Sequence, residues 1–155
     1  MRRADREITD FDELTDILRR ADTIRLGVHD TPYPYVVPLS FGFEAKDGQI
    51  ALYFHGAAQG FKHELLARDP YVCVEADIFH GYARTPGGIT TEYESFIGFG
   101  ACVRVSGEEA AYGIDLLLEH CGCAGYAYDP AELAHTWVYK ITLESFTGKR
   151  RQVQA

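Results

Sequence analysis

The sequence predicts a mainly β protein with inserted helices, built as an antiparallel, closed or nearly closed barrel in a single domain over residues 1–155. Three observations predict this class. About six segments show the alternation of apolar residues that is typical of strands. The helical segments fall between pairs of strands instead of after every strand. The glycine-rich GxGxxG and Walker loops of parallel nucleotide-binding sheets are absent from the sequence, which disfavours a doubly wound fold.

The first element in chain order is a short helix. Asp10 followed by Glu13 has the spacing of a capping box, and apolar residues then recur at helical spacing at Phe11, Leu14, Ile17 and Leu18. After this helix the chain changes to strands, beginning with residues 23–28. The next two, residues 35–43 and the "QIALYFHG" segment, are joined by a "KDG" turn and predict a hairpin.

Alternation in the hairpin assigns its side chains to two faces. Ile50, Leu52 and Phe54 are predicted to face the core, which directs His55 to the opposite face. On the other strand, Pro38 lacks the amide hydrogen that a central strand would use, so we expect an edge strand or an interrupted strand there. A ligand could then reach its free backbone groups.

The second half of the chain predicts a helix over 58–68, a strand in "YVCVEADI", a long strand, a helix over 108–120 ended by Gly122, and a last strand. The predicted core residues of the long strand are Tyr93, Ile97, Phe99, Ala101, Val103 and Val105. Gly98 and Gly100 would then form an open strip for a flat ligand or a second subunit, unless they mark a closely packed bulge. In the last strand the core residues are Trp137, Tyr139, Ile141 and Leu143, and the outer ones are Val138, Lys140, Thr142 and Glu144.

Composition excludes several function classes. The net charge is −8, with 23 acidic and 15 basic residues, which disfavours a nucleic-acid surface. No apolar run has the length of a membrane span, and the N-terminus lacks the apolar region of a signal peptide. We therefore expect a cytoplasmic protein with reduced cysteines, and no nucleic-acid or membrane partner.

The junction between the hairpin and the next helix is a candidate anion site. His55 is followed by the small residues Gly56, Ala57, Ala58 and Gly60, and then by Lys62. Small residues let a ligand approach the backbone amides at a helix N-terminus, where the dipole favours a phosphate, and Lys62 adds a positive charge. The same residues also fit a plain turn with a solvated lysine and a histidine at a strand end.

A metal site is a competing hypothesis. His120, Cys121 and Cys123 are zinc-ligand types, with Cys73, Cys102 and His135 as further donors. The C-x-C spacing without a second matching pair is poor for structural zinc, and a helix that ends in "HCGCAG" explains the same residues. We therefore predict no metal.

Several segments together resemble the pyridoxamine 5′-phosphate oxidase-like flavin-binding proteins, and within them the nitroimidazole-resistance (Nim-type) branch. They are "MRRADREITD", "YPYVVPLSFGFE", "LYFHGAAQGFKHELL", "DPYVCVE", "YESFIGFGACVRV" and "FTGKRR", in the same order over nearly the whole chain. The resemblance implies an antiparallel split β-barrel of the FMN-binding type and a homodimer with FMN at its interface.

The resemblance also implies the site residues. Those expected to bind the cofactor are Val37, Pro38, Leu39, Ser40, His55, Gly56, Ala57, Ala58, Gly60, Lys62 and Ser95. The strand segment around Pro38 would lie beside the flavin ring, and the segment from His55 to Lys62 would take the phosphate. His55 matches the histidine near the flavin and is the expected catalytic residue.

The predicted function is that of an FMN-dependent oxidoreductase. NAD(P)H would be the donor, and a small nitro-aromatic or quinone-like compound the acceptor. Aromatic residues that would wall a pocket are Tyr33, Tyr93 and Trp137, although core or interface positions also explain them. The alternative is a non-catalytic protein that holds a flavin or haem for storage or sensing, since its binding residues would look the same.

Overall fold

Eight strands and three α-helices make up the part of the chain that the computed structural model describes, which is residues 3–129, 131 and 135–153. The strands are β1 (Glu7–Ile8), β2 (Ile24–Val28), β3 (Tyr35–Leu39), β4 (Gly42–Lys46), β5 (Gln49–Ala57), β6 (Tyr71–Thr85), β7 (Gly88–Val105) and β8 (Thr136–Arg151). The helices are α1 (Phe11–Arg20), α2 (Phe61–Arg68) and α3 (Gly107–His120), with a short 3-10 turn at Ala4–Arg6.

All strand pairs in this sheet are antiparallel, in the order β3-β2-β6-β7-β8-β5-β4, with β1 paired to β8. The two end strands, β3 and β4, are separated in the chain only by Ser40 and Phe41, and Phe41 is fully buried. This short link curls the sheet into a split barrel. The predicted fold class is therefore confirmed, and so is the edge position of the strand that contains Pro38.

The number of strands differs from the six expected for local reasons. The segment predicted as one strand over 35–43 is interrupted at Ser40 and Phe41, so the hairpin partner of β5 is β4. The two-residue strand β1 is too short to show alternation. The first helix agrees with its prediction: the Asp10 side chain accepts a hydrogen bond of 3.0 Å from the Glu13 amide, and Leu14, Ile17 and Leu18 are buried.

The two faces of β7 are opposite to the prediction. Ile97, Phe99 and Val103, predicted to be core, are 39%, 53% and 49% exposed, whereas Phe96 and Cys102 on the other face are buried. Both faces of this strand are rich in apolar residues, so alternation alone does not identify the inner one.

The glycines on β7 therefore face the core and do not form an open strip. A Cβ at Gly100 would lie 2.0 Å from the carbonyl oxygen of Thr142, and one at Gly98 would lie 2.8 Å from a Leu143 methyl group. The register with β8 shifts between Phe99 and Gly100. The glycines thus allow close packing at a β-bulge, which was the second explanation offered for them.

Helix α3 packs on the outer side of β4 and β5. The approach is so close that a Cβ at Gly113 would lie 2.6 Å from the Tyr53 ring. Under α3 a second apolar cluster forms from Ala110, Ile114 and Val138. Val138 therefore lies on the predicted outer face of β8, away from the main core, but it is only 1% exposed because α3 covers that face. No helix in the described ranges is long and apolar enough to cross a membrane.

Candidate functional site

The predicted anion site lies where β5 ends at Ala57 and α2 begins at Phe61. The helix starts three residues later than predicted because Gly60 has φ = 133°, a backbone conformation that favours glycine. No side chain caps the helix N-terminus. The first amides of α2 are therefore not satisfied in the way that an Asp or Ser cap would provide.

Lys62 brings a positive charge to this junction without a matching acid. Its Nζ lies 5.1 Å from the centroid of the Phe54 ring, and a Cβ at Gly56 would lie only 3.1 Å from the same atom. Within the described residues, Lys62 forms no salt bridge. Burial lowers the pKa of Lys62, because desolvation disfavours the charged ammonium.

His63, which follows Lys62 in the chain, connects the start of α2 to β8. His63 is 7% exposed, and a hydrogen bond of 2.7 Å joins its Nδ1 to the hydroxyl group of Tyr139. The His63 ring stacks on Tyr139 and packs edge-on against Trp137 at 5.2 Å. Burial and then the charge of Lys62 lower the pKa of His63, which favours the neutral imidazole.

Arg104 supplies a second cation on this side of the sheet. Its guanidinium lies 4.0 Å from the Trp137 ring centroid, and it forms no salt bridge among the residues that the structure describes. Sequence reasoning missed both Arg104 and His63. The signal for Arg104 was an arginine inside the apolar run "ACVRV", and the signal for His63 was its position directly after Lys62.

A cleft of about 570 Å³ opens where His63 and Trp137 meet the start of α2. Its walls include Ala58, Gln59 and Gly60 from the junction, with His63 and Trp137. Glu64 and Ala67 of α2 complete the lining. The cleft therefore combines free space, backbone groups and an aromatic wall at the place where the sequence predicts a phosphate.

His55 points to the other face of β5, as predicted. It pairs with Val138, whose other neighbour is Val105, and the side chains of all three lie on the α3 side of the sheet. His55 is exposed. Partial desolvation by the surrounding chain, and then the charge of Lys62, lowers the pKa of His55, which favours the neutral imidazole.

A separate cavity of about 230 Å³ lies against His55 on the α3 side. Helix α3 contributes Ile114, Leu117 and Leu118, and the segment that follows the helix contributes Tyr126 and Tyr128. Thr136, at the start of β8, also lines it. The sequence did not predict this cavity, because the packing of α3 over His55 is a tertiary contact with no local pattern.

The predicted ring-side residues lie in β3 and in its link to β4. Pro38 and Ser40 are exposed, while Val37 and Leu39 pack partly against the core. Gly42, two residues after Ser40, pairs with Tyr53, two residues before His55. The link thus lies at the same end of β5 as the junction.

Ser95 and two of the aromatic candidates lie elsewhere. Ser95 pairs with Lys149, which is eleven residues along β8 from Val138, the partner of His55. That separation corresponds to roughly 35 Å of strand, so Ser95 of the same chain does not meet the junction. Tyr33 is 78% exposed in the link between β2 and β3, and Tyr93 lies two residues from Ser95 on β7. Of the three aromatic candidates, only Trp137 lines the cleft.

The side chains considered as zinc ligands either make other contacts or are exposed. The ring Nε2 of His120 lies 2.8 Å from the carbonyl oxygen of Ala21, and Cys121 and Cys123 are exposed. Among the described residues, no three His, Cys, Asp or Glu side chains lie close enough to hold a metal ion.

Comparison with known proteins identifies the family. The model of the pyridoxamine 5′-phosphate oxidase family matches residues 10–150, so the chain belongs to that family. No curated protein sequence matches the chain significantly.

Three solved structures are similar to this chain. A candidate 5-nitroimidazole antibiotic resistance protein from Bacteroides thetaiotaomicron is 27% identical, with a TM-score of 0.83 over 92% of this chain and 85% of that one. A flavocytochrome from Azotobacter vinelandii has a TM-score of 0.81 at 18% identity, over 99% of this chain and 72% of its own. An FAD- and haem-binding protein from Mycobacterium smegmatis has a TM-score of 0.79 at 20% identity, over 96% and 74% of the two chains. The last two similarities concern the fold alone.

Proposed function

We propose that this protein is an FMN-dependent oxidoreductase that uses NAD(P)H to reduce a small nitro-aromatic or quinone-like acceptor. The family and its flavin-binding structural neighbours support a flavin-related function. We choose FMN because of the half-buried Lys62 ammonium. It has no acidic partner in the described part of the chain and lies beside an uncapped helix N-terminus.

The residues of the junction fit a terminal phosphate. A dianion would supply the counter-charge that Lys62 and Arg104 lack, and would raise the pKa of Lys62 toward its ordinary value. The absence of a side chain at Gly56 leaves room for the Lys62 ammonium, since a Cβ there would lie 3.1 Å from it. Backbone amides at the start of α2 would donate hydrogen bonds to the remaining phosphate oxygens. We therefore assign the phosphate to Gly56, Ala57, Ala58, Gly60 and Lys62.

The flavin would supply the redox chemistry when bound, taking a hydride from NAD(P)H and giving two electrons to the acceptor. The chain supplies position and a proton source. His63 and Tyr139 hold the start of α2, and with it Lys62, through a short hydrogen bond. His55, with its neutral imidazole, would donate a hydrogen bond from its ring N–H to the acceptor as negative charge develops on it.

We also propose that the protein forms a homodimer. The outer face of β7 exposes Ile97, Phe99 and Val103, and the neighbouring strand β6 exposes Tyr71 at 65%. Exposed apolar side chains on two neighbouring strands are typical of a surface that is covered by another subunit. In a homodimer, Ser95 would reach a cofactor near the junction only from the other copy.

The alternative function is a non-catalytic binder of a flavin or of haem. The flavocytochrome and the FAD- and haem-binding protein with this fold favour it over other non-catalytic roles. His55, an exposed imidazole that lines the smaller cavity on the α3 side, is the residue that would ligate a haem iron.

Absorption spectroscopy combined with turnover tests the proposal. Protein saturated with FMN should show a flavin spectrum that bleaches with NAD(P)H and recovers when a nitro-aromatic is added. His55→Gln should retain FMN and slow the recovery. A Soret band in the purified protein, or a bound flavin that NAD(P)H never reduces, would instead support the binder.

A further inference from the structure

The cavity of about 230 Å³ between His55 and α3 is distinct from the cleft that would hold the phosphate. His55 and the Lys62 ammonium lie on opposite sides of β5. The ammonium, carried by α2, contacts the Phe54 ring, and His55 follows Phe54 in the strand and so points to the other side. A ligand in the cavity would therefore meet His55 without meeting the Lys62 ammonium.

The walls of the cavity define the chemistry of its ligand. Ile114 and Leu117 are 8% and 7% exposed and belong to the packed layer under α3, so this part of the wall is fixed by packing. Leu118 and Tyr128 pack against the same cluster. Tyr126, which is 67% exposed, adds a ring at the solvent side. These surfaces favour a flat, uncharged ring system over a charged or sugar-like ligand.

The polar groups of the cavity are few. His55 can donate one hydrogen bond from its imidazole N–H, which suits an oxygen acceptor such as a nitro or carbonyl oxygen. The Tyr128 hydroxyl, which can also donate to an oxygen, lies 3.5 Å from Asp115, at the limit of a hydrogen bond. The cavity volume of about 230 Å³ lies below the usual ligand-pocket range of about 300–1,000 Å³, which favours one or two rings over a nucleotide.

We propose that this cavity, bounded by His55, Ile114, Leu117, Leu118, Tyr126 and Tyr128, is the binding site of the electron acceptor, and that the acceptor is an uncharged one- or two-ring nitro-aromatic or quinone. The inference rests on the proposed function for the identity of the ligand as an acceptor. It assigns the acceptor and the phosphate to opposite faces of one strand, so different substitutions should abolish the binding of each ligand.

Leu118→Trp tests the assignment, because an indole at this position would fill the cavity. Nitrobenzene is the probe, since quinones react with thiols and Cys121 and Cys123 are exposed. Equilibrium dialysis should show nitrobenzene bound to wild-type protein and at least about tenfold weaker binding to Leu118→Trp, as expected when a ligand must displace a buried ring. FMN affinity, measured on the same samples, should change less than about twofold because Lys62 is untouched.

Leu116→Trp is the matched control. Leu116 lies on the same helix but lines a different groove, with Arg19, Phe43 and His120, so the same substitution there should leave nitrobenzene binding unchanged. Equal loss in both variants, or no loss in Leu118→Trp, would overturn the assignment. Loss of FMN binding together with nitrobenzene binding in Leu118→Trp would also overturn it, because the cavity would then hold the flavin.

A measurement on wild-type protein covers the case in which Leu118→Trp does not fold. In a methyl NMR titration with nitrobenzene, the signals of Ile114, Leu117 and Leu118 should shift and that of Leu116 should stay in place. Shifts confined to other parts of the protein would reject the site. Protein that binds nitrobenzene here but does not bind FMN would keep the pocket and reject the proposed function, so the two failures are distinguishable.

Discussion

At the end of β5, one face carries charge and the other carries almost none. On the Phe54 side, the cations of Lys62 and Arg104 lie on aromatic rings, and His63 and Tyr139 form a buried hydrogen-bonded pair near them. On the His55 side, α3 covers the strand with aliphatic side chains and leaves a small cavity. The alternation of a strand produces this separation, because successive residues point to opposite faces.

Under the proposed function, this difference would let one junction serve two ligands of opposite character. A phosphate needs unpaired donors and positive charge, whereas a flat apolar acceptor needs packed hydrocarbon and few polar atoms. A single mixed pocket would leave the lysine beside an apolar ring or the acceptor beside a dianion. Separate faces avoid both costs.

Removal of both cations should produce the largest effect. In Lys62→Ala/Arg104→Met, FMN should bind at least about 100-fold more weakly, because each charge-assisted contact contributes about 1.5–3 kcal/mol. Titration of FMN fluorescence measures this change. The control is Lys46→Ala, an exposed lysine at the end of β4, which should bind FMN like wild type. A double variant with wild-type FMN affinity would contradict the charged face.

Truncation on the apolar face should reduce stability and leave FMN binding intact. Leu117→Ala should lower the free energy of unfolding by about 2–3 kcal/mol, the lower part of the range for a buried leucine, because Leu117 already borders a cavity. Urea denaturation gives this value. If FMN affinity of the folded variant fell as much as in the cation variants, the separation of the faces would be wrong.

The two histidines should differ in their effect on pH dependence. The pKa of His63 is lowered from the ordinary 6.5 by burial and by Lys62, so the folded state binds fewer protons than the unfolded state in this range. The stability contribution of neutral His63 is therefore complete above pH 6.5 and is lost as the pH falls through 6.5 toward the folded-state pKa.

We expect His63→Gln to reduce the loss of unfolding free energy between about pH 7.5 and about pH 5.5 relative to wild type. The exposed His55 should show a weaker linkage, so His55→Gln serves as the comparison. Urea midpoints at the two pH values measure both. Identical pH dependence in His63→Gln and wild type would mean that His63 is not a buried neutral imidazole.

Much of the fold could be predicted from the sequence because its signals are local. The cap of α1 at Asp10, the "KDG" hairpin and the edge position implied by Pro38 each depend on neighbouring residues, and the structure agrees with all three. The direction of His55 also followed from alternation, once Phe54 was assigned to the core.

The sequence-based predictions fail where the burial of a residue depends on another strand or helix that packs on it. Apolar residues occupy both faces of β7, and the sequence does not say that Gly98 and Gly100 are the residues pressed against β8. Burial of Val138 and the cavity beside His55 both come from α3, whose helical pattern predicts an apolar face but not the strands that it covers. The place of Ser95 depends on pairing over a long strand.

The ratio of the riboflavin and FMN dissociation constants tests the central claim most directly, because the two ligands differ only in the phosphate. Wild-type protein should bind FMN much more tightly than riboflavin, and Lys62→Ala should bring the two constants within about tenfold of each other by weakening FMN alone. Equal weakening of both ligands in Lys62→Ala, with the ratio unchanged, would show that Lys62 does not hold the phosphate and would contradict the account.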